Sequence, residues 1–139
     1  MLFRSFISVL ANSIASPTND RTQFYYRNKD VSGKAKNDSI RFAQVAERKF
    51  DAWISKHEKI DEKDKFIYQD KQDYAQIAVN DNRTALLKTP LNTQKIPGII
   101  WEVAFMSTEK GRKRLQDGQT MGNYAYVMTQ AVIEFLKNK

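Results

Sequence analysis

The chain has 139 residues, 41% of them hydrophobic and 28% charged, which is one domain's worth and excludes both a wholly disordered chain and a polytopic membrane protein. Without a single cysteine, disulfide frameworks, zinc fingers, Cys-ligated iron–sulfur clusters and thiol nucleophiles are excluded together. A net charge of +7 favours anionic neighbours such as nucleic acid or acidic lipid.

The first element is Met1–Ala15, which at helical spacing gathers Leu2, Phe3, Phe6, Ile7, Val9, Leu10 and Ile14 on one arc, with Arg4, Ser5, Ser8 and Asn12 opposite. No acidic residue precedes Asp20, and serines and arginines recur, so residues 1–15 read as an amphipathic, presequence-like helix. The apolar run is broken by Arg4 and too short to cross a bilayer, so no transmembrane helix is expected. Residues 16–37 shift to Pro, Gly, Ser, Thr, Asn and Lys and read as an extended linker. The cluster Phe24, Tyr25, Tyr26 and Arg27 interrupts it, an aromatic anchor onto a surface or a stacking platform for single-stranded RNA.

Residues 38–139 read as a helical domain. From Asp38 or Ser39 as N-cap, Phe42, Ala43, Ala46, Phe50, Trp53, Ile54 and His57 share one face. A second helix from Asp61 to Val79 shows Phe66, Ile67, Tyr74 and Ile77, and the pair is equally compatible with one continuous helix. Asn80–Pro97 returns to loop composition, with a short turn at Thr84–Lys88. Gly98–Met106 is apolar all round a helix drawn through it and requires burial in a core or an interface. Ser107 or Thr108 caps a continuation carrying Lys110, Arg112, Lys113 and Arg114, which Gly118 stops. A last helix from about Asn123 to Lys137 sets Tyr124, Val127, Met128, Ala131, Val132 and Phe135 in a stripe. The expected fold is therefore all-α, four to five helices on long polar connectors, extended in shape and not a compact bundle.

Chemistry is sparse. His57 is the sole histidine and sits on an apolar helical face, where a packed imidazole is the ordinary outcome. The acidic run Asp61, Glu62 and Asp64 lacks the glycine and spacing of a calcium loop, and Gly111, Gly118 and Gly122 match no phosphate-binding loop. Glu102 stands inside IIWEVAFM, where a bare carboxylate is costly to bury, and it requires a cationic partner or a groove. No catalytic residue, cofactor or metal site is assigned.

These features predict a non-catalytic accessory subunit of a mitochondrial inner-membrane assembly, a respiratory complex or ATP synthase, peripheral to the membrane. Its partners would be other protein subunits and anionic lipid such as cardiolipin. The contact residues would be Leu2, Phe3, Phe6, Leu10, Phe24, Tyr25, Tyr26, Trp101, Glu102, Phe105, Lys110, Arg112, Lys113 and Arg114. The alternative is an RNA-binding subunit of a mitochondrial ribosome, resting on the basic run and the aromatic cluster. A small soluble enzyme, or a bacterial or phage protein using Glu102 or His57, comes third.

Overall fold

A computed structural model describes residues 5–12, 22–28, 31, 33–58, 75–79, 87 and 96–138. These form a four-stranded mixed sheet with helices, an α/β fold, and the all-α expectation is overturned. The strands are β1 (Phe6–Asn12), β2 (Thr22–Tyr26), β3 (Ala75–Val79) and β4 (Gly98–Phe105), in the order β1-β4-β2-β3. The helices are α1 (Gly33–His57), α2 (Glu109–Gln116) and α3 (Gly118–Lys137). β4 runs parallel to β1 and antiparallel to β2, and β2 runs parallel to β3. Parallel neighbours need a crossover, and α1 supplies it between β2 and β3.

Side-chain parity explains why the strands were mistaken for helix and linker. In β1, Phe6 and Ile7 are both half-buried because the two faces of the sheet are both covered there, so the strand reads as one apolar arc. The amphipathic helix expected over 1–15 is thus a strand at 6–12, and residues 1–4 and 13–15 lie outside the described residues. All eight residues of β4 are buried, which is the signature of an interior strand and equally of a buried helix. Residues 22–26, expected within a linker, sit between β4 and β3, so Phe24 is fully buried. Of the second helix expected to end at Val79, residues 75–79 are β3, and α1 itself stops at His57. The expected Thr84–Lys88 turn lies outside the described residues except for Leu87.

One face of the sheet carries Phe24, Ile99, Trp101 and Val103, and α1 and α3 pack on it. Helical periodicity is faithful here. α1 buries Ala35, Ser39, Phe42, Ala43, Ala46, Phe50 and Ile54, and α3 buries Tyr124, Val127, Met128, Ala131 and Phe135. Phe42 stacks on Phe135 with ring centroids 4.7 Å apart. The Arg41 guanidinium lies 4.3 Å from the Phe135 ring centre and donates to the carbonyls of Phe135 and Asn138, closing the end of α3. Glu134 is paired with Arg48 and Lys49, and the hydrogen bond from Lys49 with the charge of Arg48 holds its carboxyl below the ordinary carboxylate value.

Ser39 does not cap a helix. It lies inside α1, which begins at Gly33 with a φ of 58°. Its hydroxyl donates to the Ala35 carbonyl at 2.7 Å and accepts from the Gly98 N–H at 3.0 Å, fixing the start of β4 against the helix. The opposite face of the sheet holds a smaller cluster of Tyr25, Ile100 and Leu87, with Phe6 packed against it.

Candidate active site

β4 sits inside the sheet, and Glu102 is its one ionisable residue, 7% exposed. Strand alternation places Glu102 on the face of Ile100 and Tyr25, away from α1 and α3. In register beside it are Leu10 on β1 and Gln23 on β2. Gln23 accepts a hydrogen bond from the Tyr25 hydroxyl through Oε1 at 2.8 Å, so the NH2 group is its donating end.

The position of this group in the sheet is informative. β1 and β4 are parallel, with Leu10 in the carboxyl half of β1 and Glu102 in the middle of β4. The β1–β4 register shifts between Leu10 and Asn12, an irregularity of the kind that re-aims side chains beside active sites. Below the carboxylate the backbone is pinned. The Trp101 indole donates to Thr22 Oγ1 at 2.7 Å, and that hydroxyl donates to the Glu102 carbonyl at 3.3 Å. Thr22→Val removes the acceptor of a buried indole N–H and should cost about 1–3 kcal/mol in urea unfolding, while Thr22→Ser should cost less.

Past β4 the chain turns through Met106 and Ser107 into α2. Thr108 is the N-cap, its hydroxyl accepting from the Gly111 N–H at 2.9 Å and donating to the Phe105 carbonyl at 3.2 Å. α2 ends at Asp117, which also caps α3, so α3 begins at Gly118 and not near Asn123. A hydrogen bond from the Thr120 hydroxyl holds the Asp117 carboxyl below its ordinary value.

The basic run is not one patch. Arg114 pairs with Glu58 at 2.8 Å, and the other oxygen of Glu58 accepts from the Tyr124 hydroxyl at 2.6 Å. Lys113 pairs with Glu109 at 2.8 Å, and Arg112 donates to the Met106 carbonyl at 2.9 Å. Lys110 and Arg112 are exposed on the helix that follows β4. Phe24, Tyr25, Trp101 and Phe105 are buried, Phe6 and Tyr26 are half-buried, and Leu10 is 44% exposed. Leu2 and Phe3 lie outside the described residues. His57 ends α1, exposed, and stacks on Trp53 with centroids 4.8 Å apart. Both rings border an open cleft of about 570 Å³ between the end of α1 and the α2–α3 corner, whose described lining residues include none from a strand.

Thr22 and Gln23 were missed by sequence reasoning. The signal was the β-branched and aromatic composition of Thr22–Tyr26. Among the described residues no group of three or more His, Cys, Asp or Glu side chains is placed to hold a metal ion. Among them, too, no helix is long and apolar enough to cross a membrane.

No family model and no curated protein matches the sequence. Solved structures do match. N-acetylmuramoyl-L-alanine amidase from Clostridium difficile 630 superposes with a TM-score of 0.69 at 16% identity, over 98% of this chain and 59% of that one. The catalytic domain of such an amidase from Bacillus (Paenibacillus) polymyxa gives 0.63 at 20% identity, over 98% and 59%. A third amidase, from Clostridioides difficile and solved in complex with the GerS lipoprotein, gives 0.67 at 18% identity, over 98% and 56%. The chain thus spans less than two thirds of the length of the structures it matches. At these identities the likeness is one of fold, and the fold is that of bacterial amidase domains. It overturns the expectations of a non-catalytic accessory subunit, of a respiratory or ATP-synthase assembly, and of a mitochondrial location at the inner membrane.

Proposed function

We propose that this chain acts on the amide bond of a muramoyl peptide, with Glu102 as the acid–base group. The observation that carries the reading is the buried Glu102 carboxylate, set in the middle of β4 and in register with Leu10 of the parallel strand β1, in an amidase-type fold. Amide hydrolysis needs a base that takes a proton from water and an acid that returns one to the leaving nitrogen. Glu102 can do both in turn. Its carboxylate accepts the proton as water oxygen bonds to the carbonyl carbon, and the same proton passes to nitrogen as the C–N bond breaks. The neighbouring Gln23 amide is a donor for the carbonyl oxygen as charge develops on it. Lys110 and Arg112, together with the net charge of +7, suit a substrate bearing peptide carboxylates. A protein partner fits the same reading, since one fold neighbour was solved bound to a lipoprotein.

The test is release of new amino termini from purified cell-wall sacculi by the wild type and by Glu102→Gln. The reading expects release by the wild type and a loss of about 100-fold or more in the isosteric variant, with unchanged circular dichroism. Equal release by the two proteins, or none by the wild type, overturns it.

A further inference from the structure

The cleft between the last turn of α1 and the α2–α3 corner is described from the helical layer, across the sheet from Glu102. Its volume of about 570 Å³ falls within the roughly 300–1,000 Å³ of small-molecule sites. The wall from α1 is flat and aromatic. Trp53 and His57 stand four residues apart, one turn above the other, and their rings stack with centroids 4.8 Å apart at 26°. The buried Tyr124 meets Trp53 edge-on at 5.7 Å and fixes the indole from the core side, while His57 is exposed. The wall from α3 carries amides. Gln119 and Asn123 are again four residues apart and share one side of that helix. Among the described residues none hydrogen-bonds the side chain of His57, Gln119 or Asn123.

The charged groups of the cleft are already matched. Arg114 pairs with Glu58, whose second oxygen accepts from the Tyr124 hydroxyl, and Lys113 pairs with Glu109. The Asp117 carboxylate accepts from the Gln119 and Thr120 N–H groups that open α3. Two cations and two carboxylates are among the described lining residues, so the cleft is balanced although the chain carries +7, and it favours neither an anion nor a cation.

We propose that this cleft binds an uncharged saccharide, a short chain of N-acetylated hexose units. A sugar ring has a face of weakly positive C–H bonds, which packs on the negative face of an aromatic ring, and a rim of hydroxyls that need donors and acceptors together. His57, backed by Trp53, supplies the ring face. The amides of Gln119 and Asn123 supply both NH2 and C=O groups, which suit hydroxyls and an acetamido group alike. The choice of an N-acetylated sugar rests on the muramoyl-peptide reading, whereas the recognition of a saccharide rests on the cleft alone. Glycan held here would be held apart from the amide bond being cut at Glu102.

Titration of the purified chain with N,N′,N″-triacetylchitotriose, followed by tryptophan fluorescence and by nuclear magnetic resonance, tests this. The expected result is saturable binding with shifts at the Trp53 indole, the His57 ring and the Asn123 side-chain amide, at an affinity that added salt leaves unchanged. His57 is exposed and Asn123 half-buried within a helix, so alanine at either position should leave the chain folded. His57→Ala and Asn123→Ala should each raise the dissociation constant about three- to ten-fold, the loss of one stacking face or one hydrogen-bonding group. No saturation by about 10 mM sugar overturns the proposal. So does a dissociation constant that neither variant changes, or the same residues responding to inorganic phosphate and not to the sugar. The trisaccharide carries no peptide, and Glu102→Gln should bind it as the wild type does, so the cleft and the acid–base role of Glu102 stand or fall separately.

Discussion

Phe50→Ala should lower the free energy of unfolding by about 3–5 kcal/mol, the range for deleting a fully buried aromatic ring. Phe50 is 0% exposed and sits where the two layers meet. Its ring centroid lies 5.4 Å from that of Phe24 on β2, 5.2 Å from Trp101 on β4 and 5.3 Å from Tyr124 on α3, the last edge-on. One side chain of α1 therefore bridges two strands and the other long helix. Rigid rings surround the site, so it collapses poorly when emptied, which puts the cost at the upper end. Urea unfolding followed by tryptophan fluorescence measures it, and a loss below about 1 kcal/mol would contradict the aromatic core described here. Trp101 adjoins Glu102 in sequence, so loosening this core should also disturb the candidate site.

Gly111→Ala should destabilise through a different cause, and by about 1–3 kcal/mol or more. A Cβ at position 111 would stand 1.9 Å from the Phe105 carbonyl oxygen and 2.8 Å from both the Phe105 carbonyl carbon and Thr108 Oγ1. Two of those atoms are backbone at the end of β4, and the third is the hydroxyl that caps α2. Relief requires α2 to move off the strand, losing the Thr108 cap. Gly122→Ala supplies the opposite sign. Nothing lies within 4 Å of a Cβ at that position, inside α3, and alanine there should stabilise by about 0.5–1 kcal/mol through helix propensity alone. Thermal unfolding of the two variants side by side checks both, and equal effects would show that the close approach of α2 to β4 is wrong.

What was legible in the sequence follows from which periods it carries. The long helices were readable because Phe42, Ala46, Phe50 and Ile54, and later Tyr124, Val127, Met128, Ala131 and Phe135, repeat at three and four residues against a polar background. A cap at Ser107 or Thr108 was readable from their place before a polar, charged helix start, and the structure uses Thr108. The strands were not. β1 and β4 have apolar residues on both faces, so the period of two vanishes into a continuous run that a helical wheel accepts equally well. β2 also carries apolar residues on both faces, Phe24 facing one layer and Tyr25 the other, and five residues inside a polar stretch resemble an anchored linker. Glu102 was conspicuous as a carboxylate inside an apolar segment. Its meaning depended on pairing across three strands, which brings Leu10 and Gln23 beside it from 92 and 79 positions away. The basic run was legible as charge, yet its division into separate pairs with Glu58 and Glu109 came from tertiary structure for Arg114 and from helical spacing for Lys113.

The most direct measurement is a nuclear magnetic resonance titration of the full chain with soluble N-acetylmuramoyl-L-alanyl-D-isoglutamine. The account predicts saturable shifts at the Glu102 carboxyl and at the Leu10 and Gln23 amides, on the sheet face that α1 and α3 do not cover. Shifts confined to Trp53 and His57 at the helical cleft, or no shifts at all, would contradict the placement of the site at Glu102.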